Sequence, residues 1–194
     1  HVIGLRKIAG LSSIASDGNG AVRVGTLCTQ RQMETDPLVR QSLPLVADTY
    51  SKVATARIRS MSTVGGGLVH GDPNQDPPPT LIALGASVVL SSKGGERVVP
   101  VEDLFIDYFE TDIQPGEILT SVLIPHAPAG SGAVYTKFLP RTADDYATVS
   151  VAAIVDADEN NNCRDIRIVL GASGVTPIRA REAEALLRQH PLTE

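Results

Sequence analysis

Residues 58–68 read IRSMSTVGGGL, and HGDPNQDP follows at residues 70–77. Glycine adopts positive φ readily, so three glycines in succession predict a tight turn. Main-chain N–H groups in such a turn converge on one point and favour an anion, typically a phosphate. The hydroxyls of Ser62 and Thr63 stand just before the glycines and can donate to the same oxygens. The segment therefore predicts a phosphate cradle.

A short helix is predicted directly after this segment. Asp76 followed by Pro77 is typical of a helix N-cap and first turn, and the apolar run TLIAL fills residues 80–84. The segment contains neither GxxxxGK[ST] nor GxGxxG, which argues against a P-loop and against the usual Rossmann fingerprint. Hydroxyls and amides without strong local positive charge suit the diphosphate of a flavin or nicotinamide dinucleotide. From the glycines alone, a plain surface turn is the alternative.

The composition is that of a globular protein with a sizeable core. The chain has 194 residues, of which 42% are hydrophobic, and a net charge of −5. An acidic chain is a poor partner for nucleic acid, and no apolar run approaches the roughly 20 residues of a membrane span. Cys28 and Cys163 form neither a metal-ligand spacing nor a disulfide framework, which predicts a reduced, cytoplasmic protein.

Hydrophobic periodicity and capping signals predict the remaining elements. Strands are predicted at residues 2–5, 21–24, 87–90, 97–100, 118–124, 135–139, 149–155 and 166–170, the third and fourth as a hairpin. Helices are predicted from Thr29 (with Gln32 in a capping box), from Asp36-Pro37, from Leu45 straight into Ile58, over 101–105 as a short turn, and over 180–188. Residues 125–132 read as a linker.

Five segments together resemble one known family. TVGGGL at residues 63–68, with GDP at 71–73 and Asp76, resembles the second FAD-pyrophosphate loop (TIGGN) of the molybdenum hydroxylase flavoprotein subunits. These are the medium subunits of the carbon monoxide dehydrogenase type and the central domain of xanthine dehydrogenase. Four further segments resemble family motifs in the same order: VGT at 24–26 with Thr29, EILT at 117–120 with IP at 124–125, YTK at 135–137, and DDYA at 144–147.

The resemblance implies an α+β fold. Residues 1–128 would form the second lobe of a PCMH-like (vanillyl-alcohol oxidase-type) FAD-binding domain, and residues 129–194 a small C-terminal α/β layer. It also implies truncation at both ends, because the family carries an earlier lobe with another glycine loop (AGGxSL) and continues beyond the C-terminal helix. Neither part is present in this sequence.

The function implied is that of the FAD-binding subunit of a molybdopterin-dependent dehydrogenase. Electrons would pass from a [2Fe-2S] small subunit through FAD to an external acceptor, after substrate oxidation in a molybdopterin large subunit. Molybdopterin and the [2Fe-2S] cluster would belong to those partners. Because FAD carries the redox chemistry, no catalytic residue and no metal site are expected in this chain.

The resemblance also implies which residues contact FAD. They are Ser62, Thr63, Val64, Gly65, Gly66, Gly67, Asp76, Leu119, Lys137 and Tyr146. Hydroxyls and amides of the first six would hold the diphosphate. Asp76 would accept a hydrogen bond from a sugar or ribityl hydroxyl, or cap the helix that follows it, or do both. Tyr146 would lie against the isoalloxazine ring, with core packing as its alternative role. Lys137 would lie near the polar edge of the flavin, or else face solvent. Leu119 would line the pocket, or else belong to the hydrophobic core.

Rival interpretations remain. Gly67 replaces the usual family Asn and Gly4 the usual Asp, which favours a non-catalytic interaction module that keeps the fold and has lost FAD. A domain for NAD alone is a weaker rival, since GxGxxG is missing. His70, Asp72 and Asp76 are close enough in sequence for a metal site, although loop aspartates more often cap turns.

Overall fold

The computed structural model describes residues 3–18, 20–139, 142, 144–188 and 190–192. The strands in this part of the chain are β1 (Ile14–Ser16), β2 (Ala21–Gly25), β3 (Ser87–Ser92), β4 (Gly95–Pro100), β5 (Phe105–Asp107), β6 (Glu110–Thr111), β7 (Ile118–Pro125), β8 (Gly132–Phe138), β9 (Val149–Ala157), β10 (Cys163–Gly171) and β11 (Ile178–Arg179). The helices are α1 (Gln30–Thr35), α2 (Pro37–Ser42), α3 (Pro44–Ser51), α4 (Ala56–Met61), α5 (Val64–His70), α6 (Pro77–Leu84), α7 (Val101–Leu104) and α8 (Arg181–Leu187).

Two antiparallel sheets form the frame of the molecule. The first has the order β1-β2-β7-β3-β4, and the second has the order β11-β10-β9-β8. Alternation in β2 buries Val22 and Val24, which pair with Ile124 and Val122 of β7. The predicted strands from residue 21 onward and the β3–β4 hairpin are confirmed.

Helix α6 lies between the two sheets and is buried along its whole length. It contacts β7 on one side and both β9 and β10 on the other. A short helix that is apolar all round must be enclosed in this way, and its three prolines stand in the first turn, where their missing N–H groups cost nothing. The predicted helix is confirmed, and it fixes the position of the loop that precedes it.

Two element predictions are wrong. Residues 3–5 form no strand, and Val2 lies outside the described residues. The helix predicted to run from Leu45 into Ile58 ends instead at Ser51, and α4 begins separately at Ala56. Between them Ala54 has a φ of 36°, a left-handed conformation that no continuous helix allows.

The predicted glycine turn is also wrong, because Gly65, Gly66 and Gly67 are helical and none has a positive φ. Thr63 caps α5, its hydroxyl accepting from the N–H of Gly66, and Gly71 ends the helix with a φ of 67°. None of the described helices has the length and apolar character that a membrane crossing requires.

Candidate functional site

The glycine helix is docked on the turn that joins β2 to α1. The N–H of Val64 donates to the carbonyl of Cys28 at 2.8 Å, and the N–H of Gly65 donates to the carbonyl of Thr26 at 2.9 Å. In the opposite direction, the N–H of Gln30 in α1 donates to the carbonyl of Ser62 at 2.9 Å. The VGT and TVGGG motifs, far apart in sequence, therefore lie side by side.

The remaining glycine amides are also bonded within the chain. The N–H of Gly66 donates to Thr63 Oγ1 at 3.1 Å, and that of Gly67 to the Thr63 carbonyl at 3.0 Å. The prediction of bare, converging amides is therefore wrong. A hydroxyl that accepts a bond still carries its own proton, so Thr63 can donate to a ligand, as can Ser62.

The three glycines serve two different purposes. A Cβ at Gly65 would collide with the Thr26 side chain, so this position must be glycine for α5 to reach the β2–α1 turn. Gly66 and Gly67 instead lie along an open cleft, and the missing side chains keep it open. Gln75 Nε2 donates to the Gly67 carbonyl at 2.8 Å and fixes that side of the cleft.

The cleft has a volume of about 470 Å³. Its described lining is Gln30, Val53, Ala54, Ile58, Ser62, Thr63, Gly66, Gly67, His70, Asp72, Gln75, Asp76, Pro77, Asp144, Asp145 and Tyr146. The last three come from the loop between β8 and β9, so the second sheet contributes one wall. This lining contains four carboxylates and no Lys or Arg. Carboxylates suit the hydroxyls of a sugar, whereas the hydroxyl-bearing end near Ser62 suits an anionic group.

Asp76 is held by groups from β8. Its Oδ1 accepts from the Tyr135 hydroxyl at 2.6 Å, and its Oδ2 accepts from Lys137 Nζ at 2.9 Å. Burial raises the pKa of Asp76, while both donors oppose that rise by stabilising the carboxylate. Asp76 stands at the N-cap position of α6, as predicted, but its side chain makes no cap hydrogen bond. The carboxylate instead accepts the charge-assisted bonds from β8.

Lys137 and Leu119 are not part of the described cleft lining. The Lys137 side chain is 4% exposed and also donates to the carbonyl of Lys52, so its solvent-facing alternative is wrong. Leu119 is buried in β7 opposite Leu90, as the core alternative expected. Val64 and Gly65 are likewise buried outside the lining. Direct contact of these residues with FAD stays a prediction.

Tyr146 is the one Phe, Tyr or Trp residue in the described lining. Its side chain is 64% exposed, so its alternative as core filler is wrong. Partial burial and the nearby Asp72 carboxylate raise the pKa of its phenol, which keeps the ring neutral. The described residues thus bring together Ser62, Thr63, Gly66, Gly67, Asp76 and Tyr146 in one cleft. A neutral aromatic ring there is free to lie against a flat ligand.

Two glutamines of the cleft were missed by the sequence reasoning. No role was predicted for Gln30, or for Gln75, which falls within the HGDPNQDP segment. Their amides meet at Gly67, where an added Cβ would lie 3.0 Å from Gln75 Oε1 and 3.4 Å from Gln30 Nε2. This meeting depends on tertiary structure and leaves no local signal.

The metal alternative gains no support. In the described ranges, no group of three or more His, Cys, Asp or Glu side chains could hold a metal ion. Asp72 instead accepts from the N–H of Asn74 at 2.9 Å, a local turn of the kind that loop aspartates commonly make.

Residues 1–127 match the family model described as FAD binding domain in molybdopterin dehydrogenase. The chain belongs to this family. Residues 134–194 match a second model, the CO dehydrogenase flavoprotein C-terminal domain. The resemblance drawn from the five motifs is therefore confirmed, although the glycine segment is a helix rather than a turn.

Two relatives are similar to this protein along most of the chain. The 6-hydroxypseudooxynicotine dehydrogenase complex subunit alpha of Paenarthrobacter nicotinovorans is 34% identical over 96% of this chain and 62% of that protein. The carbon monoxide dehydrogenase medium chain of Afipia carboxidovorans is 35% identical over 96% of this chain and 64% of that protein. The chain thus spans a little under two thirds of these relatives.

The fold is similar to a solved member of the family. The crystal structure of the Cu,Mo-CO dehydrogenase in its cyanide-inactivated form superposes with a TM-score of 0.91 at 34% identity, over 98% of this chain and 65% of that one. The predicted α+β class and the FAD-binding type of fold are confirmed by this match and by the family model.

Proposed function

We propose that this chain forms the FAD-binding part of the medium subunit of a molybdopterin-dependent dehydrogenase. The observation that carries the proposal is the family match over residues 1–127, which contain most of the open cleft. Two relatives that cover most of this chain are named as dehydrogenase subunits. The protein is accordingly an FAD-dependent oxidoreductase subunit.

The residues of the cleft fit FAD. Ser62 and Thr63 offer hydroxyl donors to the diphosphate, and Gly66 and Gly67 present no side chain where it must approach. Tyr146 offers a neutral ring to the isoalloxazine. Each of these groups stands in one continuous lining, as an elongated dinucleotide requires.

Asp76 supplies the acceptor for a sugar or ribityl hydroxyl. Each carboxylate oxygen has more than one acceptor position, so the bonds from Tyr135 and Lys137 leave capacity for a ligand hydroxyl. Lys137 then acts through Asp76, by keeping the carboxylate ionised and fixed. Val64, Gly65 and Leu119 are buried outside the described lining, and their predicted contact with FAD, like that of Lys137, is part of this proposal.

FAD supplies the redox chemistry, and the chain supplies position and electrostatics. In the complex, electrons would come from a [2Fe-2S] small subunit that serves a molybdopterin large subunit, and would leave to an external acceptor. We assign residues 1–128 to the FAD-binding lobe and residues 129–194 to the C-terminal domain. Two free, buried cysteines support a cytoplasmic location.

The flavin content of the purified intact protein tests the proposal. One FAD per chain is expected, seen as a visible flavin absorbance band and as FAD released by acid. Ser62→Ala with Thr63→Val should reduce this content, because two donors to the diphosphate are lost. Ser60→Ala, in the neighbouring turn of α4 and outside the cleft lining, is the matched control.

A rival function also finds an observation in its favour. Because the amides of Val64 and Gly65 already donate to carbonyls of the chain, the cleft offers fewer donors than the motif suggested. A non-catalytic module with this fold would contain no flavin and would not take up added FAD. That result would refute the FAD-binding function.

A further inference from the structure

Gln30 is the first residue of α1 and is 7% exposed, yet it lines the cleft. Within the part of the chain that the structure describes, its Oε1 is the one buried side-chain oxygen or nitrogen without a hydrogen-bond partner. Buried polar side-chain atoms are nearly always satisfied in native proteins, and an exception requires an explanation. An exception beside an open cleft indicates a missing ligand.

The surroundings of Gln30 show which part of a ligand it would meet. Its main-chain N–H is bonded to Ser62, and its Nε2 would lie 3.4 Å from a Cβ placed on Gly67. The side chain therefore stands on the same wall as the Ser62 and Thr63 hydroxyls. An amide that turns about its last bond can direct either its nitrogen or its oxygen into the cleft, and Oε1 has no bond to lose.

We infer that Gln30 is a ligand-binding residue that hydrogen-bonds FAD through its side-chain amide beside the diphosphate. This inference rests on the proposed FAD-binding function and adds a residue to it. The amide, Ser62 and Thr63 then form one polar wall without a formal positive charge. These side-chain groups supply hydrogen bonds to the ligand in place of the glycine amides, which already donate to other groups of the chain.

The test compares Gln30→Met with wild type in the intact protein after FAD has been removed. Methionine matches glutamine in length and nearly in helix propensity, so it removes the amide and keeps the shape. Gln41→Met, on the exposed face of α2, is the matched control. FAD binding is titrated by isothermal calorimetry, and thermal unfolding of the apo forms is followed in parallel.

The expected result is an FAD dissociation constant raised about tenfold in Gln30→Met and unchanged in Gln41→Met. The melting temperature of apo Gln30→Met should equal or exceed that of wild type, because no protein hydrogen bond of Oε1 is lost. Unchanged FAD affinity would overturn the inference. So would a destabilised apo protein, since the amide would then serve the fold.

Gln30→Glu gives a second arm. A carboxylate beside phosphoryl oxygens repels them, so FAD binding should be weaker than in Gln30→Met, and added salt should reduce the difference. Tighter binding than in Gln30→Met would overturn the placement beside the diphosphate. If the wild-type protein takes up no FAD, the proposed function itself is refuted. If the wild-type protein binds FAD and Gln30→Met binds it equally well, only the role of Gln30 is refuted.

Discussion

Replacing Gly65 by alanine tests the close approach that builds the cleft. The added Cβ would collide with the Thr26 side chain and lie 3.0 Å from its carbonyl oxygen, while the bond from Gly65 N–H at 2.9 Å prevents the two segments from separating. Overpacking of this kind costs about 1–3 kcal/mol, and the upper end applies because main chain is involved. Helix propensity returns about 1 kcal/mol. The net loss in free energy of unfolding is therefore about 2 kcal/mol.

The assay is urea unfolding of the apo intact protein, with Gly67→Ala as the control. A Cβ at Gly67 would meet the flexible end of Gln75 at 3.0 Å, so this variant should be neutral or more stable by up to about 1 kcal/mol. In a double-mutant cycle, Thr26→Gly should recover at least about 1 kcal/mol of the Gly65→Ala loss. Equal stability of Gly65→Ala and Gly67→Ala, or strict additivity in the cycle, would refute the reasoning.

Three further predictions concern the cleft. Gly66→Val places a branched side chain against Thr63 Oγ1, 2.8 Å from the Cβ, so FAD affinity should fall at least about tenfold; stoichiometric FAD after purification would contradict this. Tyr146→Ala should alter the flavin spectrum and reduction rate but change unfolding by less than about 0.5 kcal/mol, because the side chain is exposed; an unaltered flavin would reject the stacking role. Lys137→Met leaves Asp76 buried without its ammonium partner and should cost about 3–5 kcal/mol near neutral pH. The pKa of Asp76, already raised by burial, rises further in that variant, so the stability of the variant should be higher in acid and fall as the pH rises through that pKa. Urea unfolding at pH 4 and pH 7, with Lys93→Met as control, measures this pH dependence. An equal loss of stability at both pH values would count against the prediction.

Elements set by neighbouring residues were predictable from the sequence. The capping box of Thr29 and Gln32 and the cap of Asp36 close within a few residues, and both form as expected. Strands with period-two alternation were found for the same reason, because one buried face is enough to specify them.

The site was only partly predictable because its decisive contacts are distant in sequence. Three glycines have poor helix propensity, so a turn was the natural expectation; the carbonyls of Thr26 and Cys28 and the Thr63 cap hold them in a helix instead. Asp76 follows the local sequence pattern of a helix cap, but its carboxylate accepts a hydrogen bond from Tyr135, 59 residues away. Such partners appear only when both sheets are in place.

The position of FAD in crystals of the intact protein tests the central claim most directly. The diphosphate should lie within hydrogen-bond distance of the Ser62 and Thr63 hydroxyls, over Gly66 and Gly67, with the isoalloxazine ring against Tyr146. FAD bound at another place would contradict the account. So would crystals of the intact protein, grown with excess FAD, in which this cleft contains no FAD.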